Sequence, residues 1–406
     1  MYKSKDYLNR GYNFIHNKFF PSHKRLSTLA IFGTDLCDSA CKHCLIWTKR
    51  PVNYLSFDKI KSIMASKAVR KNTTVALAGG EYMLHPDAVP IMGWFEKYHR
   101  NFDVLTNALQ PELLIEGVKK HPPRRLFISL DGDRESYLHM RGKDGYDGII
   151  HVLEELHKTL PISLMFTLSP YNDFDDLKHV AGVCKRFNTD LRVGVYNDIS
   201  FFDTIEDAHH YEIGSLKSQE IRSFSEAKKL IQEKQQSHPE GTPTLNTEQF
   251  MLNIREKIPA ILDEFPENKD FLLLYDEWRR GGLKLSCNSI LDSVVVLPNG
   301  DVPVCQNLDV LIGNVHTNSL DEILGMKTTR DIQQHHSKNC NACWINFHRK
   351  YDIILHRSLE RFFGKAVTGK LMGYYWWESE KKKSYRGQCP GKRYIHTILH
   401  SIRTGL

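Results

Sequence analysis

Between Leu26 and Asp198 the chain alternates short apolar runs with stretches of helical period, and no other feature restricts its fold as tightly. The strand-like runs are 26–34, 73–80, 102–109, 126–132, 162–169 and 190–198. Between them, 56–69, 88–99, 112–121, 147–160 and 175–187 space their apolar residues three and four apart. In the first of these, Ser56 is a ready N-cap, and Ile60, Ile63 and Met64 share a face. Six strands alternating with five helices predict parallel βαβ units, closed into a barrel or left as an open sheet. Either way, ligands belong at the carboxyl ends of the strands.

With 406 residues there is room for one large α/β domain and one or two smaller units. A hydrophobic share of 41% and a charged share of 25% exclude collagen-like and wholly disordered chains. No run of about 18 apolar residues occurs, so no spanning helix is expected. The N-terminus, MYKSKDYLNRGYNF, lacks the apolar core of a secretory signal, and a cytoplasmic location is expected. Five segments are predicted: an N-terminal extension (1–25), the β/α core (26–198), a helical, hydrophilic linker (199–283), a cysteine-bearing α+β unit (284–348) and a basic, aromatic tail (349–406). The linker's clearest helices are 225–236, 247–265 and 270–280, the last stopping at Gly281-Gly282. In the cysteine unit, 293–304 reads as a β-hairpin turning at Asn299-Gly300.

Nine cysteines in an unexported chain imply metal or redox chemistry more than disulfides. Cys37, Cys41 and Cys44 follow the first strand in a C-x3-C-x2-C loop. Three thiolates can wrap one face of a four-iron cubane and leave one iron open. Zinc usually takes four ligands in two pairs, and here only His43 could be added as a fourth. Cys287, Cys305, Cys340 and Cys343 form a later quartet that could saturate a second cluster or a tetrahedral zinc. Cys184 falls on an apolar helix face and is expected in the core, and Cys389 is expected to be free.

At the first cysteine loop the chain resembles the radical S-adenosylmethionine (SAM) superfamily, with His43 where most members have an aromatic ring. The resemblance implies a partial (β/α)6, TIM-like barrel. It implies a catalytic [4Fe–4S] cluster on Cys37, Cys41 and Cys44, with SAM on the open iron. Reductive cleavage of SAM would then yield a 5′-deoxyadenosyl radical that takes a hydrogen atom from substrate. By position, Gly79, Gly80 and Glu81 match the GGE motif at the SAM amino group. Asn107, Ser129 and Asp131 end the third and fourth strands as ribose or carboxylate contacts, and Thr167 and Val195 are candidate adenosine contacts. His139, Arg141 and Gly142 lie in the segment after Ser129-Leu130-Asp131-Gly132, where they would face substrate or cap the next helix.

Cys287, with Gly300 preceding Cys305 by five positions, followed by Cys340-x2-Cys343, resembles the opening of the SPASM auxiliary-cluster domain. The full pattern continues with a cysteine six residues on, where this chain has Arg349. That departure resembles the shorter twitch version, and implies one auxiliary [4Fe–4S] cluster on four cysteines, serving electron transfer. Gln306 stands where sulfatase-maturing members place an aspartate base. Asp198, Asp203, Glu206, His209 and His210 are the other candidate bases near the expected mouth.

Arg349–Leu406 holds 13 Lys and Arg against 4 Asp and Glu, a net +9, which leaves the preceding residues at −2. The near-neutral body argues against nucleic acid. Apolar residues at helical spacing (Ile353, Ile354, Leu359, Phe362, Phe363), then Tyr374–Trp377 and Lys381–Lys383, suggest either a terminal helix packed on the barrel or contact with an anionic membrane surface. The substrate is therefore expected to be an anionic small molecule, a glycan or a lipid-linked group. Peptide modification is the alternative; the short stretch before the first strand leaves no room for an N-terminal leader-binding domain. The expected reductant is a flavodoxin or ferredoxin. A zinc-stabilised, non-enzymatic binding protein is the competing class.

Overall fold

The computed structural model describes residues 4–44, 46–169, 171–195, 265, 268–279, 283–308, 310–340, 343–372 and 374–376. Six strands form the core: β1 (Thr28–Phe32), β2 (Thr74–Ala78), β3 (Phe102–Thr106), β4 (Arg125–Ser129), β5 (Ile162–Leu168) and β6 (Asp190–Val195). Helices α2 (Phe57–Met64), α3 (Ala88–Tyr98), α4 (Pro111–Lys120), α6 (Tyr146–Leu156) and α7 (Phe174–Phe187) connect them, and α1 (Ser4–Phe19) precedes them. All six strands run parallel in the order β6-β5-β4-β3-β2-β1. This is the expected βαβ alternation laid out as an open, partial barrel. The Ser56 side chain caps α2 by accepting from Lys59 N at 3.3 Å. Cys184 is buried on α7 and packs in the core.

Two local readings differ from the structure. The segment 133–142, expected to face substrate or cap the helix after it, is a helix of its own, α5 (Arg134–Arg141). Asp133 caps its start, accepting from Ser136 N, and Gly142 ends it in the left-handed region at φ +68°. The strand β8 (Ser293–Val296) does not ladder with β9 (Asp301–Pro303) as a hairpin. It adds a seventh parallel strand beside β1, with Thr28 opposite Ser293, and β9 pairs instead with β10 (Leu311–Asn314). The Asn299-Gly300 turn does form, closed by Leu297 N to Asp301 O at 2.8 Å. All four residues of β8, Ser293 and three valines, are buried, which suits a parallel strand packed on the core better than a half-exposed hairpin.

The cysteine unit is thereby stitched into the barrel. It holds α9 (Leu320–Gly325), α10 (Lys327–Asn339) and the start of α11 (Asn346–Met372), the last bending at Gly364 with φ +72°. Asp321 accepts from Ser66 Oγ at 2.6 Å and Lys67 N at 3.0 Å. From α1, Arg10 bonds Thr28, Asp292 and Ser293 and lies 4.0 Å over the Tyr351 ring. Before α11 come α8 (Lys269–Arg279) and β7 (Leu283–Leu285), which pairs antiparallel with β11 (Tyr374–Trp376). Linker helices 225–236 and 247–265, Gly281-Gly282 and the tail beyond 376 lie outside the described residues, apart from Phe265. Among the described residues no helix is long and apolar enough to cross a membrane.

Candidate active site

The loop after β1 carries the three thiols, and two neighbours hold it. The first is the end of β2. Gly80 N donates to Thr34 O at 2.7 Å and Glu81 N to Leu36 O at 2.8 Å. A Cβ on Gly79 would sit 2.7 Å from the Thr34 carbonyl oxygen, and one on Gly80 would overlap the Leu36 carbonyl. The glycines thus let β2 close on the cysteine loop itself. The second neighbour is the end of α5: Ala40 N and Ser39 Oγ both donate to Arg141 O at 3.0 Å, and Lys42 N to Met140 O at 2.9 Å.

Cys37, Cys41 and Cys44 line a cavity of about 370 Å³ in the barrel lumen. Of the other residues singled out from the sequence, His43, Gly79, Gly80, Asn107, Ser129, Thr167, Val195, Arg141 and Gln306 line it too. Glu81 and Asp131 do not: both are buried one layer behind the wall. Glu81 accepts from Met83 N (3.1 Å), Thr106 Oγ1 (2.8 Å) and Asn107 N (2.7 Å), so it clamps β2 to β3. Burial, only partly offset by these donors, raises its pKa to about 7. Asn107 carries the clamp forward, its Nδ2 donating to Asp38 Oδ1 at 2.8 Å and lying 3.9 Å from Cys37 Sγ.

Asp131 plays the matching part on the other side. It accepts from Thr167 N at 2.7 Å and from Arg141 Nε at 2.6 Å. Burial works against charge on Arg141, but Asp131, Cys41 and Tyr137 together outweigh it and the guanidinium stays protonated. Its Nη1 lies 3.5 Å from Cys41 Sγ. His139 is exposed beside Lys42 and does not reach the cavity, and Gly142 serves as the α5 cap. Asp198, Asp203, Glu206, His209, His210 and Cys389 lie outside the described residues.

Part of the cavity wall is not marked in the sequence. Asn346, Phe347, Lys350 and Tyr351 line it from the first two turns of α11, and Arg192 from β6. Lys350 donates to Asn268 Oδ1 at 3.4 Å, and Asn268 in turn accepts from Val193 N, which holds the ammonium beside β6. Arg192 pairs with Asp190 at 2.7 Å, and Asp190 also meets Arg125 at 3.4 Å. Both cations are buried. Arg192 was detectable as a charge at lumen parity in the run DLRVGV; Lys350 carried no such signal, because its place depends on how α11 docks.

Across that helix sits the quartet. Cys287, Cys305 and Cys343 are buried and Cys340 is partly so. Burial raises the Cys287 thiol well above its ordinary value against the pull of Arg349, with further increments from Asp352, Cys343 and Cys305; Cys305 is pushed up to about 12 by burial, then by Cys343 and Cys340. Asn307 Nδ2 donates to Cys343 Sγ at 3.3 Å. In the first loop, burial and then Cys41 push Cys44 up to about 12. Thiols this reluctant to ionise are stable neutral or bound to a cation.

Both sets are all-sulfur donors, which suit iron–sulfur centres or zinc. Beside the trio, the buried His43 Nδ1 makes no hydrogen bond while lining the cavity. Burial and Arg141 lower the His43 pKa to about 4, so the ring is neutral. Among the described residues no three His, Cys, Asp or Glu side chains already stand as a single-ion site. The fit is one of donor type and clustering.

Comparison with known proteins agrees with this arrangement. Residues 31–183 match the Radical SAM superfamily, and residues 287–344 match SPASM, an iron-sulfur cluster-binding domain. These matches imply a [4Fe–4S] cluster with SAM and auxiliary iron–sulfur binding. A GTP 3′,8-cyclase of Clostridium botulinum (strain Hall) is 23% identical over 211 residues, 49% of this chain and 64% of the relative, so the match spans under two thirds of that protein. The fold is similar to Streptococcus suis SuiB bound to its precursor peptide SuiA (TM-score 0.52, 13% identity, 85% of this chain, 75% of that chain). It is equally similar to SuiB bound to S-adenosylmethionine (TM-score 0.51, 15% identity, 83% and 76%).

Proposed function

We propose that this chain, a radical SAM protein with a SPASM-like iron–sulfur domain, is an enzyme that abstracts a hydrogen atom from an anionic small molecule held in its barrel lumen. The single observation carrying the reading is one cavity lined both by the thiol trio and by the buried cations Arg192 and Lys350. When bound, the cluster and SAM supply one-electron cleavage of the sulfonium and, with it, a carbon radical able to take hydrogen. Cys37, Cys41 and Cys44 would hold that cluster, and Cys287, Cys305, Cys340 and Cys343 a single auxiliary one. Arg141 and Asn107 keep Cys41 and Cys37 in place. Ser129, Thr167 and the neutral His43 ring offer polar contacts to SAM along the wall. Phe32, Phe127 and Phe347 exclude water from the space between. Arg192 and Lys350 orient the substrate through its negative group. The relatives' name, GTP 3′,8-cyclase, includes such a ligand, a nucleotide.

A peptide substrate is the second reading, since the fold neighbour SuiB was solved with a precursor peptide. A flavodoxin or ferredoxin is the proposed electron donor. A contact with an anionic membrane is supported by Arg361, Phe362, Phe363 and Lys365, all exposed on α11. Equal, negligible pelleting with anionic liposomes of the full chain and of an Arg361→Glu, Lys365→Glu variant would remove it.

The main test is anaerobic. Purified protein is expected to hold about eight irons and to form 5′-deoxyadenosine from SAM and dithionite. Nucleoside triphosphates or sugar phosphates should raise that yield, and Lys350→Ala and Arg192→Ala should abolish the increase without changing the background. Stimulation by peptides alone would favour the second reading. Colourless protein holding one zinc would replace the enzyme with a zinc-stabilised binding protein.

A further inference from the structure

We infer that Arg349 sets the reduction potential of the auxiliary centre, holding it high enough to receive an electron from the cavity side. The inference rests on the reading that the quartet binds an iron–sulfur cluster.

The helix α11 has two faces at its start. Asn346, Phe347, Lys350 and Tyr351 face the cavity. Arg349 faces the other way, into the quartet, and is wholly buried. Its Nη1 donates to Leu285 O at 2.7 Å and its Nε to Cys343 O at 3.1 Å, and the guanidinium lies 5.8 Å over the Trp344 ring. Two fixed carbonyls and a ring thus hold a permanent cation in place. It acts electrostatically on Cys287, Cys343 and Cys340. Six residues past Cys343, where the SPASM pattern continues with a cysteine, this chain carries a positive charge.

Four thiolates around a four-iron core leave it net negative, and each added electron deepens that charge. A cation fixed nearby, in surroundings of low dielectric, therefore stabilises the reduced state more than the oxidised one. Asp352, on the next turn, opposes this when ionised; burial raises its pKa to about 7, so the titration belongs at pH 8 or above. Its carboxylate accepts from Asn288 N at 3.1 Å, and it and Arg349 act on each other. The side chains at 349 and 352 thus predict shifts of opposite sign, which a scaffold role would not. Arg349 is a positioning residue for charge, not a ligand, and does not line the cavity.

The test is a redox titration of the full chain followed by electron paramagnetic resonance, with the first cluster recognised by its response to SAM. Arg349→Gln keeps hydrogen-bonding capacity and removes the charge, so the auxiliary midpoint should fall. Arg349→Lys should restore most of it. Asp352→Asn should raise it. Iron content is measured for each. An unchanged midpoint in iron-replete Arg349→Gln, equal shifts in the Gln and Lys variants, or loss of auxiliary iron from both would overturn the inference while leaving the cluster reading intact. Wild-type protein with zinc in place of the auxiliary iron would overturn both.

Discussion

A methyl group at position 80 has nowhere to go, because the Leu36 and Asp35 carbonyl oxygens already occupy its place. Both obstacles are backbone, and the backbone they belong to is the two residues before Cys37. Gly80→Ala should therefore displace the cysteine loop, at a cost of about 1–3 kcal/mol. Iron per chain should drop by about half, from about eight to about four, with far-UV circular dichroism unchanged. Glu81 behaves differently. Its pKa is raised to about 7 from the 4.5 of an exposed glutamate, so the folded state binds the proton more tightly than the unfolded chain. Stability from this group is full below about pH 4.5 and is lost as pH rises through 7, by up to about 3 kcal/mol. Glu81→Gln should remove that slope, and urea midpoints of the iron-free protein at pH 5 and pH 8 would draw together. An unaltered difference would mean that Glu81 does not titrate in this range.

At the scale of elements, the sequence was most legible where periodicity is long. The six core strands and five of their helices emerge from spacing alone, because each must bury a continuous face. Short, capped pieces were less so. α5 spans eight residues with a weakly apolar face, and only Asp133 and Gly142 mark its ends. β8 could be recognised as a strand but was given the wrong partner, since an apolar run says nothing about which edge it will join. The cavity wall from α11 was hidden for the same reason. The trio and quartet stand out in the sequence because cysteine spacing is local, whereas no local signal shows that Glu81 and Asp131 hydrogen-bond the strands behind the cavity lining. The α5 caps separate stability from site geometry. Asp133→Ala removes one cap bond and should cost about 1 kcal/mol with iron content intact. Gly142→Ala meets the Ala40 carbonyl at 2.9 Å and strains a positive φ, so it should lose the first cluster as well. Parallel iron assays and thermal melts of the two variants would make the comparison.

Across the whole molecule, the quartet's segment is part of the barrel, since β8 pairs with β1 and α11 walls the lumen. Filling the quartet should therefore stabilise the core as well as the cysteine unit. Cys287→Ala is expected to lower the melting temperature more than Cys37→Ala, because Cys37 lies on a loop at the cavity mouth, whereas Cys287 precedes the strand that completes the sheet. Filling also releases protons: the Cys44 and Cys305 thiols, each pushed up to about 12, must ionise to bind. At pH well below those values, each unit of pH gained should favour loading by up to about tenfold per thiol that ionises. Iron uptake by the iron-free protein, followed by absorbance near 400 nm between pH 6.5 and 8.5, should rise steeply with pH. A flat profile would mean that the thiols are already ionised in the empty fold, and that burial in the folded chain does not hold their protons on.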